Sequence, residues 1–565
     1  MVGQVYQSFS SLPYERVDLD KIDQQLRRAR LRSRLAMKPE SAVRAVYDAQ
    51  QALMQYRQAS TLARIRHDQK TSDPFYLAER DFYDQADPKV DQMKQAFYHA
   101  MRASRFQNEI SEQFGSHIFR KAANMDQIIQ PIVVQDIVRE NKLISQYEQL
   151  MSEASADFGD QSYSFDQLHV FLESSDRQTR KDAWQARSAW LIKHQERLDE
   201  IFDQLVRLRT RMSHKLHFSH FTDVAYRRME RFDYGPEQVA AVRDAVIRYI
   251  VPMTKEIRRL QKRRLNVDPL YAYDWPCLFR EGNPQTVCDK RDVPLLAAHA
   301  TADLTGRYPS TLAQMLEAGY VDLYARKHKT AGAYCQMLYE PGLPFIMQNA
   351  SGTADDVFVL MHEAGHAYAA VRSLPKMTLL DCHMPSLDVC EIHSTGFEYL
   401  SYPYMERFFG QMAEQVCLMH LTQALLFLPY GCMVDEFQHF VYEQPEMGTA
   451  QRHALWRTLT AVYQPDTLYD QDPFFEKGGA WQLKGHIYSE PFYYIDYVLA
   501  QLVALDLWQK SQIDLGEAFK YYDKLCQLGG RHTLSESLEM AGLASPFSPE
   551  TLKKIAYTAC DFLSL

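Results

Sequence analysis

Residues 349–373 read NASGTADDVFVLMHEAGHAYAAVRS, and the helix they encode orders everything around it. Asn349-Ala-Ser-Gly-Thr353 is turn-like. Thr353 followed three residues later by Asp356 matches a capping box, and Asp355 suits the positive end of a helix dipole. A helix is therefore expected to begin at Ala354 and to end before Pro375. It carries His362-Glu363-Ala364-Gly365-His366, an HExxH. Positions i and i+4 lie one turn apart on one face, so two imidazoles can converge on one Zn²⁺ at about 2.0–2.1 Å, with Glu363 placed to take a proton from a bound water. With 19 His and 72 acidic residues among 565, the pattern is expected by chance roughly 0.08 times.

Two imidazoles leave a metal under-coordinated. Ala369 and Arg372 stand where the longer motif HExxHxxGxxH would need Gly and His, which excludes that class. A carboxylate on a second helix is the alternative. Glu391, in Asp388-Val-Cys-Glu-Ile-His-Ser-Thr-Gly-Phe-Glu398, is the leading candidate, and Glu398, two turns on, shares its face. One carboxylate can bind the metal while the other holds a ligand imidazole. Cys390 and His393 are rival ligands off that stripe.

Outside this region the chain reads as helical. Gly 22 and Pro 24 are few for the length, and long segments contain neither. After a cap at Ser175 or Asp176, Leu198, Ile201, Phe202, Leu205 and Leu208 recur at helical spacing, and the same period runs through Asp87–Ser104, Pro236–Leu265 and Met412–Phe427. Residues 331–349, AGAYCQMLYEPGLPFIMQN, instead read as two short strands around a Glu340-Pro341-Gly342 turn, a small antiparallel sheet just before the HExxH helix. The Asn266-Val-Asp-Pro269 break separates a helical N-terminal half, 1–267, from a catalytic half, 268–565.

Composition narrows the partners. Apolar residues at 46 % support a large core, and a net charge of −9 provides no basic field for nucleic acid or anionic lipid. Leu421–Val434 is apolar but interrupted by Pro429 and Gly431, so no membrane span is expected. Met1–Pro13 shows no leader pattern, which places the chain in the cytoplasm. Nine scattered cysteines with no CxxC argue against a disulfide framework.

HIYSEPFYYIDY, residues 486–497, supplies a histidine and four tyrosines. With Pro491 at a helix start, Tyr494 and Tyr497 fall three apart on one side, where phenols can reach a developing oxyanion. Gly478-Gly479 just before it is a mobile loop or an ordinary turn.

These blocks together resemble the M3 zinc oligopeptidases, in the oligoendopeptidase F and Pz-peptidase branch. GAYC, PFIMQNASGTADDVFVLMHEAGHAYA, EIHSTGFE, VDEFQHFVYEQPEM, HIYSEPFYYIDYVLAQ, GGRHTLSESLEMAGL and, upstream, DVAYRRMERFDY follow in the branch's order. Ala364 and His393 depart from the residues common there. The resemblance implies His362, His366 and Glu391 as ligands of one Zn²⁺, Glu363 as general base, and His486 with the tyrosines as oxyanion donors. It also implies a mainly α fold, a helical ellipsoid with a deep central channel that admits oligopeptides and excludes folded proteins. The strand Ala331–Leu338, if exposed at an edge, could pair with an extended substrate. A metallocarboxypeptidase is the rival reading. It would need a fixed cation for the substrate carboxylate, for which Arg372, Lys484 and Arg531 are available. The oligomeric state is open.

Overall fold

The computed structural model describes residues 6–376 and 379–563, so the first residues of the Met1–Pro13 segment lie outside it. The described chain is mainly α-helical with two small sheets. Its longest helix, Arg177–Lys215, is capped by Asp176, whose carboxylate accepts the Thr179 N–H at 2.8 Å, and it buries the stripe from Leu198 to Leu208. Departures from the expected helices occur mostly at prolines. Pro236–Leu265 is two helices, Pro236–Tyr249 and Val251–Leu265, because Pro252 brings no N–H to the ladder. Elsewhere tertiary packing overrides the break: Pro88 lies inside Pro74–Arg102, and Pro429 and Gly431 lie inside Ala413–Glu443. As a result the stretch Tyr402–Glu443 is, by length and composition, apolar enough to cross a membrane, contrary to the sequence expectation. Most of its apolar window, 61 %, is buried within the protein.

The expected hairpin is present: Tyr334–Leu338 pairs antiparallel with Leu343–Ala350. A third strand, Val321–Tyr324, pairs parallel on the far side, so the sheet is mixed and Leu343–Ala350 is its centre. Tyr334–Leu338 is thus an edge strand. The central strand runs directly into the HExxH helix, Asp355–Ser373, which starts one residue later than expected. Only half of the capping box forms. The Asp356 carboxylate accepts backbone N–H groups of Ser351, Gly352 and Thr353 at 3.2, 2.5 and 3.1 Å, and the Thr353 hydroxyl makes no return bond.

The HExxH helix packs on Leu387–Leu400, in which every residue from Asp388 to Leu400 is buried. Their approach is set by Gly365. A Cβ there would stand 2.6 Å from the His393 carbonyl oxygen and 2.7 Å from Phe397 Cβ, distances no side chain tolerates. Leu387–Leu400 is backed in turn by Tyr494–Ile513, against which Gly396 and Gly431 allow similar closeness to Leu507 and Val498. A buried polar clamp locks these helices to Arg231 and Tyr234. Arg231 donates to Asp496 Oδ1 at 2.5 Å and to the Phe492 carbonyl at 2.7 Å, while the Tyr234 hydroxyl donates to Asp388 Oδ2 at 2.7 Å. Breaking such a pair strands a buried charge, so the clamp resists any shift of either helix.

Gly365→Ala should therefore destabilise the protein by about 1–3 kcal/mol, read as a lower urea midpoint at unchanged m-value. Gly516→Ala is the contrasting control. It lies exposed in the first turn of Leu515–Cys526, with only Asp514 Oδ1 at 3.3 Å from the added Cβ, and should be neutral or stabilise by up to about 1 kcal/mol. Equal midpoints for the two variants would show that the crossing helices part without cost.

Candidate metal centre

His362 and His366 face Leu387–Leu400 from successive turns, and Glu391 answers from the opposing helix. Glu391 Oε2 lies 3.3 Å from His362 Nε2 and 3.8 Å from His366 Nε2, and the three ligand atoms all fall within 4.8 Å of one another. Ligands at about 2.0–2.1 Å around a tetrahedral ion are about 3.3 Å apart, so the Glu391 separations of 3.3 and 3.8 Å suit a Zn²⁺. Both imidazoles keep about a fifth of their side-chain surface open, at 22 and 20 %, which leaves one side of the centre accessible. The rivals point elsewhere. Cys390 Sγ turns to the Pro385 carbonyl at 3.8 Å, and His393 is buried with Nε2 unpartnered, outside the converging set.

Glu398 orients the first imidazole. His362 Nδ1–H donates to Glu398 Oε1 at 2.6 Å, which leaves the Nε2 lone pair for a metal. The other carboxylate oxygen accepts from His420 Nε2 at 2.7 Å, and Tyr402 donates to His420 Nδ1 at 2.7 Å. His420 stacks on Phe358 of the HExxH helix with centroids 4.0 Å apart. Nothing in the sequence around His420 marks it, because its partner is 22 residues away on another helix.

Burial and charge divide the titratable groups. Burial raises Glu363 to about 8 against the pull of His362, with Glu391 and Glu398 adding to the rise, and its Oε2 is buried without a hydrogen-bond partner. A dication alongside would pull that value down. Glu391 is held at about 2 although burial opposes ionisation, because the hydrogen bond and charge of His362 and the Tyr493 hydroxyl outweigh it. Burial drops His366 to about 4, the neutral form a ligand needs. His362 goes the other way: burial is outweighed by Glu391 and Glu398, whose excess negative charge favours a cation between them.

The tyrosine block is arranged differently from the sequence expectation. Pro491 does not open the helix; Phe492 takes a left-handed φ of 70° and the helix starts at Tyr494. This turns Tyr493, which the Tyr494/Tyr497 spacing passed over, onto the centre, where its hydroxyl donates to Glu391 Oε1. Tyr497 and His486 form a pair, hydroxyl to Nε2 at 3.3 Å, and burial with the neighbouring Lys484 lowers His486 to about 4. Tyr494 is buried between Phe427, Tyr430, Tyr497 and His486. Gly478 is a left-handed turn pressed onto the helix Thr449–Tyr463, where a Cβ would lie 2.2 Å from the His453 carbonyl oxygen.

Comparison with known proteins gives this geometry its lineage. Residues 9–128 match the model of the peptidase M3 N-terminal domain, and residues 170–285 and 308–557 match that of peptidase family M3. Oligopeptidase PepF of Bacillus subtilis (strain 168) is 23 % identical over 410 residues, 68 % of this chain and 56 % of that protein. The chain thus aligns with little more than half the length of this curated relative. Among solved structures, Pz peptidase A with an inhibitor is 36 % identical at a TM-score of 0.96, covering 98 % of this chain and 99 % of its own. Oligoendopeptidase-F from Enterococcus faecium, at 16 % identity and a TM-score of 0.65 over 97 % of each chain, shares the fold. On the strength of the family model and of the full-length structural match, the chain belongs to peptidase family M3.

Proposed function

We propose that this chain is a zinc-dependent endopeptidase that cleaves internal bonds of short, unstructured oligopeptides in the cytoplasm. The convergence of His362 Nε2, His366 Nε2 and Glu391 Oε2 beside the unpartnered carboxylate oxygen of Glu363 carries this reading. Bound at those three atoms, zinc would supply a Lewis acid and a water of lowered pKa.

The chain's own groups do the rest. Glu363 takes the proton of the attacking water and returns it to the leaving amine. His486 and Tyr497, with Tyr494 beside them, donate to the oxygen that becomes negative, and the uncharged phenols do so without adding a formal charge. Tyr493 and Glu398 keep Glu391 and His362 aimed. The open edge of Tyr334–Leu338 offers backbone groups to an extended peptide, an affinity independent of side chains. Residues 1–267 are read as one channel wall and 268–565 as the catalytic half, joined by Arg231–Asp496, Tyr234–Asp388 and the bond from Arg209 to the Tyr488 carbonyl.

Glu363→Gln should retain metal and lose about 10²–10⁴-fold in turnover, since the amide keeps shape and lacks basicity. Metal content by emission spectroscopy and a quenched-peptide assay measure both; more than a tenth of wild-type activity would remove Glu363 from the role. In competition with a chelator, Glu391→Ala should release zinc, and Glu398→Ala should weaken it about 10–100-fold. Tyr493→Phe and Tyr497→Phe separate the two tyrosine roles: the first should move metal affinity, the second kcat by about 10²–10³-fold with KM little changed.

Substrate length tests the channel. A peptide of twenty residues extends about 66 Å at roughly 3.3 Å per residue, already comparable with the enzyme. Peptides of about five to twenty residues should be cut internally while reduced casein resists. Chelator-sensitive cleavage of casein at the peptide rate would mean an open cleft.

A further inference from the structure

Of the three cations that could hold a substrate carboxylate, the structure singles out one. Arg372 is committed to Asp523 through Nε at 2.7 Å and Nη2 at 3.0 Å. Arg531 lies in the short 3₁₀ helix Gly529–Arg531, which packs on the HExxH helix, and no aromatic ring holds its guanidinium among the described residues. Lys484 is the N-cap of the short helix Gly485–Ser489, two residues before His486. Its ammonium sits 4.6 Å from the Tyr494 ring centroid and 5.3 Å from that of Tyr430. No carboxylate lies within 4.0 Å of it among the described residues, although the chain pairs many of its other lysines and arginines.

Two aromatic faces hold an ammonium in place through their quadrupoles and neutralise none of its charge. The side chain is only partly exposed, so water meets the charge from one side. Two buried cations that bond to the same block do have a carboxylate: Arg231 has Asp496 and Arg209 has Glu140. Lys484 differs from them in standing beside the residues that face the reacting bond. From its ammonium to the Tyr494 ring is 4.6 Å, from that ring to His486 is 5.2 Å, and from His486 to Tyr493 is 5.6 Å. The Tyr493 hydroxyl touches Glu391. At about 3.3 Å per extended residue, Lys484 is reached within about six residues of the bond at the metal.

We propose that Lys484 is a specificity-determining residue that pairs with a carboxylate of the substrate. That group is the chain end or an Asp or Glu side chain a few residues past the scissile bond. The pairing would set cleavage at a fixed distance from a negative charge and so favour short acidic-ended peptides over the interior of long ones. This inference rests on the peptidase reading of the same site and adds its substrate preference.

The test uses one peptide sequence of about eight residues in three forms: free C-terminal acid, C-terminal amide, and amide with Glu as the last residue. Wild-type enzyme should favour the free acid over the amide by roughly 10–100-fold in kcat/KM, carried by KM, the range of a charge-assisted hydrogen bond. Lys484→Met keeps the aliphatic stem and should bring the acid-to-amide ratio near one, while Lys484→Arg should retain most of it. Recovery of the preference by the Glu-ended amide would identify a side chain as an acceptable source of the carboxylate; no recovery would assign it to the chain end. A ratio near one in the wild type, or a preference that survives in Lys484→Met, overturns the inference. Calorimetric binding of acid and amide forms to the Glu363→Gln protein reads the same ratio without turnover. If no peptide form is cleaved at all, the peptidase reading fails, and the binding ratio still decides the role of Lys484.

Discussion

The contact on which the rest depends is the crossing of two buried helices at a residue with no side chain. Gly365 is the second x of HExxH, immediately before His366, and meets the backbone of His393 and Ser394 directly. Only at that separation does Glu391 come within reach of both imidazoles. A methyl group at this point would push the helices apart and draw Glu391 away from the imidazoles. The tight crossing leaves no room for relaxation from behind, since Leu387–Leu400 is itself pressed against Tyr494–Ile513 at Gly396. Interiors packed this densely transmit displacement and do not absorb it.

That rigidity holds a constellation which is electrostatically incomplete. Glu363, Glu391 and Glu398 are buried within a few ångströms of one another, faced by histidines whose charge states are pulled in opposite directions. Burial raises Glu363, and the neighbouring carboxylates add to the rise, while Glu391, with its hydrogen bonds, stays charged. A divalent cation would resolve the imbalance by giving Glu391 and both imidazoles a common partner. The chain Tyr402–His420–Glu398–His362 then serves to fix a tautomer, and its reach across three helices explains why the centre needs so much of the fold.

The segment around Arg231 and Tyr234 enters the same logic. They bind Asp496 and Asp388, each close in sequence to a group of the centre, Asp496 next to Tyr497 and Asp388 three residues before Glu391. The block DVAYRRMERFDY, which resembled a known family only as a string, is thus a strut between the helices Leu387–Leu400 and Tyr494–Ile513. Loss of either aspartate would strand a buried cation or phenol.

How much could be read from the chain alone varies with the range of the cause. Local periodicity and capping residues located the long helix after Asp176, the hairpin before the HExxH and the helix that carries it, because each is decided by neighbours within a few positions. The i, i+4 histidines and the Glu391/Glu398 stripe were legible for the same reason. The third strand, Val321–Tyr324, was not, since a parallel partner is chosen by a distant surface and leaves no turn signal. Pro252 split a helix where Pro88 and Pro429 did not, a difference made by the packing around each proline and not by the residue. The Tyr493 contact with Glu391, which the sequence did not suggest, accompanies one left-handed residue, Phe492, whose carbonyl accepts from the distant Arg231. His420 and the lone charge of Lys484 belong to the same class. Sequence by itself determined which residue types the chemistry would need and the helices that carry them; the tertiary structure alone decided which of them meet, because those contacts join residues tens to hundreds of positions apart, and only packing of whole helices brings such positions together.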